Sequence, residues 1–118
     1  MAGLGDLARR FYEYASRRAP GFLSLLNLYC APTYGVDCVS LLFTSPSRLY
    51  YLLLKHLRGD ERSADYAFKL LFLSPLASLL GAEGRFAIEL LELAKAGRDR
   101  EFLELVAKHA KGSSSKSF

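Results

Sequence analysis

The chain contains no glutamine and no tryptophan, and only one asparagine (Asn27) and one methionine (Met1). Arginine, lysine and glutamate therefore carry nearly all of its polarity. Amides degrade with heat, and charged groups cost less to desolvate as temperature rises, so the depletion reads as a thermophile-type composition. Charge is also absent from the eighteen residues Ala19 to Val36. Pro20, Gly21, Asn27, Pro32 and Gly35 interrupt that stretch, and a membrane-spanning helix must satisfy its whole backbone internally. Met1 is followed by Gly, Asp and arginines without the apolar run of a secretory signal. A cytoplasmic protein with no membrane partner is the expectation.

The elements of familiar catalytic sites are missing as well. No serine lies in a nucleophile elbow, and no glycine loop has the spacing that cradles phosphate. Glu89, Glu92, Glu101 and Glu104 recur at helical spacing and read as solvated edges. The two cysteines and two histidines, Cys30, Cys38, His56 and His109, match no zinc-finger or ribbon spacing. The reading is of a protein that is not an enzyme and has no cofactor and no metal. His56 and His109 sit near helix C-termini, where the helix dipole favours them for structural reasons.

What the chain does have is apolar mass and legible helix punctuation. Hydrophobic residues are 51% of 118, enough for one sizeable core. No segment alternates apolar and polar residues cleanly enough for a strand. The expected fold is an all-α bundle of about six short helices with no sheet: one domain over 1–111 and a flexible C-terminal tail over 112–118. Asp6 is expected to cap a first helix running to about Ala19, and a second runs from Phe22 to about Cys30. Ala31 to Gly35 reads as a turn, and Val36 to Phe43 as a short apolar segment. Ser45-Pro46 is a strong start, because Ser accepts a free N–H and Pro suits the first helical position. That helix should stop at Gly59. Ser63 should cap Ala64–Leu73, and Ser74-Pro75 should begin a short turn ending at Gly81. Further helices are expected from Glu83 to Ala96 and, capped by Asp99, to about Lys111. Leu41–Pro46 resembles Leu70–Pro75, which reads as one capping solution used twice rather than as a repeat.

Charge is uneven. The net charge is +4, yet residues 21–107 carry a net −1, so the excess lies at the two ends. Arg9, Arg10, Arg17 and Arg18 in the first helix, with Lys108 and Lys111 in the last, are the candidate contacts to nucleic-acid phosphates. In the middle, 49–57 and 64–73 are apolar nearly all round, and a helix of that kind must be covered nearly all round. Tyr50, Tyr51, Phe68 and Phe72 are the candidate protein interface, which implies a protein partner or self-association. Cys30 and Cys38 have seven residues between them. A disulfide is possible, and two free buried thiols are the favoured alternative.

Two resemblances follow from particular residues. Phe43-Thr44-Ser45-Pro46-Ser47-Arg48-Leu49 followed by Leu52-Leu53 resembles the first helix of winged-helix repressors, which would make residues 63–81 a helix-turn-helix reading duplex DNA. The wing would need two strands, whereas Glu83 onward reads as helix. In size and basic character, and in Tyr34-Gly35-Val36-Asp37 before an apolar segment, the chain resembles the small helical subunits of RNA-guided antiviral complexes. That resemblance implies a non-catalytic subunit tracking nucleic-acid backbones. The leading expectation is thus a helical subunit or adaptor in a larger, nucleic-acid-handling assembly. The alternatives are a helix-turn-helix regulator and a homo-oligomer without nucleic acid.

Overall fold

The computed structural model describes residues 2–18, 21, 28 and 30–115, with side chains over 5–18, 21, 28 and 30–110. Among them there is no strand, and no helix is long and apolar enough to cross a membrane. The helices are α1 (Ala2–Arg18), α2 (Cys38–Leu42), α3 (Pro46–His56), α4 (Glu61–Phe68), α5 (Ser74–Leu80), α6 (Gly84–Lys95) and α7 (Asp99–Ser115). A π-helical segment, Lys69–Leu73, joins α4 to α5. The expected helix over 22–30 lies mostly outside the described residues.

Several boundaries differ from expectation, each for a local reason. Asp6 does not cap α1, which begins at Ala2; its carboxylate pairs instead with Arg9 one turn on. Residues 30–34 are helical rather than a plain turn. Asp37 caps α2, accepting the Ser40 N–H at 2.7 Å, so the segment read only as apolar is a capped helix. Arg58 and Gly59 both take positive φ, 61° and 79°, and this left-handed pair reverses the chain into α4. The helix α4 starts at Glu61 rather than at a Ser63 cap, and the Ser63 hydroxyl donates back to the Asp60 carboxylate. The helix α7 continues through Gly112 to Ser115, into the stretch expected as a tail, and residues 116–118 lie outside the described residues. Gly and Ser lower helix propensity without breaking an established helix.

The largest departure is at Ser74-Pro75. Residues 61–80 are helical without interruption, and Phe68, Lys69, Leu73 and Ser74 all keep right-handed helical φ and ψ. Proline inside a helix contributes no N–H, and its ring collides with the carbonyl four residues back. The wider π turn relieves that collision: the Ser74 N–H reaches back five residues to the Lys69 carbonyl. The same step keeps the core face in phase. Ala64, Phe68 and Phe72 are buried four residues apart, and Leu73, Leu76, Ala77 and Leu80 are buried at spacings of three and four beyond them. At about 100° per residue the second set would face away from the first. One extra residue in the π turn rotates it back. Gly81, at φ 66°, ends the helix in the left-handed conformation.

This long helix is central, packed by α1, α3 and α6. A run of rings crosses the core along it. Phe43 meets Phe11 edge-on at 6.0 Å, Phe11 stacks on Phe72 at 6.4 Å, Phe72 meets Phe68 at 6.0 Å, and Phe68 meets Tyr50 at 5.7 Å. Each contact adds about 0.5–1.5 kcal/mol beyond the burial itself.

Candidate functional site

The six basic residues lie on the two helices at the ends of the chain, and those helices pack against each other. Leu7 and Phe11 bury one face of α1, and Phe102 and Val106 bury one face of α7. Arg9, Arg10, Arg17, Arg18 and Lys108 are left exposed. They are not equivalent. Arg9 is neutralised by Asp6 at 2.7 Å. Arg18 lies over the Tyr14 ring, 5.3 Å from its centre, and donates to the Tyr14 hydroxyl at 2.5 Å. Arg10 and Arg17, two helical turns apart on one side of α1, make no ion pair with a described residue. The side chain of Lys111 lies outside the described residues. Asp6 and Glu13 are also exposed on α1, so the basic surface is a narrow ridge rather than a broad patch.

The aromatic interface expected in the middle of the chain is corrected. Tyr50, Phe68 and Phe72 are at most 1% exposed and belong to the core. Two nearly all-apolar helices imply a partner only where a small chain cannot cover both. One of the two is instead the central helix, which the others surround. Tyr51 is half-exposed, but its hydroxyl donates to the Lys95 carbonyl at 2.6 Å. Besides Tyr51, the large apolar side chains left on the surface among the described residues are Tyr66 and Leu70, one turn apart on the central helix, Ile88 on α6, Tyr12 on α1, and Leu28 and Val36.

Cys30 and Cys38 form a disulfide, with Cα atoms 5.4 Å apart, rather than two free thiols. The bridge ties the helical turn 30–34 to the start of α2, and both residues are buried. His109 packs its ring 4.2 Å from the centre of Phe86 and sets Nδ1 3.1 Å from the Leu105 carbonyl. It is held as a packing residue. Among the described residues no group of His, Cys, Asp or Glu could hold a metal ion.

Two polar clusters escaped sequence reasoning because their members are far apart along the chain. Asp65 accepts from the Tyr50 hydroxyl at 2.6 Å and from the Lys95 ammonium at 2.9 Å, and Lys95 also reaches Glu61 at 2.5 Å. Burial first, then the hydrogen bond to Asp65, raises the Tyr50 hydroxyl well above the ordinary phenol range. Hydrogen bonds to Glu61 and Asp65 hold the Lys95 ammonium above its usual value. The second cluster centres on Asp99, which accepts from the Ser45 hydroxyl at 2.8 Å, the Ser47 N–H at 2.8 Å and the Ser47 hydroxyl at 2.9 Å. Ser45 therefore does not cap α3 with its own oxygen. A carboxylate from 52 residues away does so. Both clusters fasten helices together. No family model, no curated protein and no solved structure matches the chain.

Proposed function

We propose that the chain is a non-catalytic helical subunit of a larger assembly, contacting nucleic-acid phosphates through α1 and α7. The observation that carries the reading is the packing of the two basic ends against each other, with Arg10, Arg17 and Lys108 exposed on them. Exposed guanidinium and ammonium groups that no carboxylate neutralises are what a phosphate backbone meets most favourably. Contacts of this kind are blind to sequence. A helix-turn-helix over 63–81 has no comparable support, because a single unbroken helix runs through the position its turn would need. The protein-docking half of the reading rests on Tyr66 and Leu70 rather than on the buried rings.

Filter binding of mixed-sequence single- and double-stranded oligonucleotides at two salt concentrations tests the proposal. Binding should fall steeply with salt, because each neutralised phosphate releases a counterion. The double variant Arg10→Ala and Arg17→Ala should bind every sequence more weakly and flatten the salt slope by about one to two units. Absence of binding at low salt, or a slope unchanged in the double variant, refutes the nucleic-acid reading.

A further inference from the structure

A cavity of about 260 Å³ opens between α3 and the central helix, and the basic ridge plays no part in it. On α3 it is lined by Leu49, Leu52, Leu53 and His56, the i, i+3, i+4, i+7 set that makes one helix face. On the central helix its wall includes Ala67 and Leu71, the second of these in the π segment. The Cys30–Cys38 disulfide lies in the buried part of the wall. Leu53, Leu57, Leu71 and Ala67 are only half-buried and His56 is exposed, so these five form the mouth. His56 is the one ionisable side chain among the lining residues.

Ala67 contributes only a methyl group to the wall, and the disulfide joins two of the other lining residues. An apolar cavity holds water poorly, because water needs two to four polar partners, and it is filled instead by apolar molecules of matching size.

We propose that this cavity is a binding site for a small neutral aromatic molecule of about two fused rings. The size follows from a simple scale: an apolar protein cavity of about 150 Å³ takes benzene. A volume near 260 Å³ accommodates a bicyclic ring system. The rings lie against the leucines and the disulfide. A carboxylate or ammonium ligand is disfavoured, since nothing in the apolar wall would compensate for its desolvation.

Amide NMR of the full chain titrated with indole tests the site. Saturable shifts are expected at Leu53, Ala67 and Leu71, with nuclear Overhauser contacts from the indole ring to the Leu49, Leu53 and Leu71 methyl groups. Ala67→Phe puts a ring of the protein's own into the cavity and should weaken indole at least about tenfold, which is about 1.4 kcal/mol. Absence of saturable shifts overturns the proposal, and so does undiminished binding to a folded Ala67→Phe protein. If that variant fails to fold, the ring-to-methyl contacts in the unmodified chain decide: contacts elsewhere on the molecule overturn the site.

Discussion

Asp65 accepts from Tyr50 and from Lys95, so a single carboxylate joins α3, α4 and α6. Tyr50 and Lys95 both hold their protons more firmly in the folded protein than in the unfolded chain. Their contribution is therefore whole below the unfolded values, about pH 10 for a phenol and an ammonium. It is lost as pH rises through the higher folded values. Melting temperature followed by circular dichroism should stay level at neutral pH and decline above about pH 10. Tyr50→Phe should lower stability at neutral pH by about 1 kcal/mol and make the alkaline decline shallower. An identical decline in Tyr50→Phe would show that the phenol does not take part. None of this network was legible beforehand. Tyr50 reads as one more apolar ring in Leu49–Leu57, and nothing along the chain announces a hydroxyl partner fifteen residues away.

The helix from 61 to 80 shows how an element can be misread from reliable rules. Ser-Pro occurs twice, and the rule that it opens a helix holds at Pro46 and fails at Pro75. The difference lies in what precedes it. Phe43 and Thr44 form a turn before Ser45, whereas Phe68–Leu73 stays helical up to Ser74. The signal for continuity was present in the spacing. Phe68 to Leu73 is a step of five, the repeat of a π turn, lying between steps of four. Since the π turn amounts to one inserted residue, deleting exposed Leu70 together with Pro75→Ala should give a regular helix with Leu76, Ala77 and Leu80 still facing the core. That protein should fold with unchanged helical content and melt within a few degrees of the parent. Inserting one alanine after Leu70 should instead rotate those three residues by about 100°, and the protein should lose its cooperative melt. Tolerance of the insertion together with unfolding by the deletion would contradict the phase argument.

For the molecule as a whole, burial of Tyr50, Phe68 and Phe72 turns an association question into a stability question. Phe72 contacts both Phe11 and Phe68 and is fully buried. Phe72→Ala should cost about 3–5 kcal/mol, read as a lower urea midpoint. Sedimentation of the folded fraction should be unchanged. A variant that keeps its stability but shifts its association state would return Phe72 to an interface.

Helical periodicity, the absence of strand patterning and the glycines at 59 and 81 determined an all-α chain and the placing of most of its helices. Those signals are local, and local backbone sterics are enough to express them. The concentration of positive charge at the two ends was equally plain. Tertiary structure alone decided that the two ends pack together, that the middle aromatics are interior, and that Asp99 caps a helix far from it in sequence. It also decided that a cavity lies between α3 and the central helix beside a disulfide. Each of these depends on which surfaces meet, and that is set by how the helices cover one another rather than by any stretch of sequence read alone.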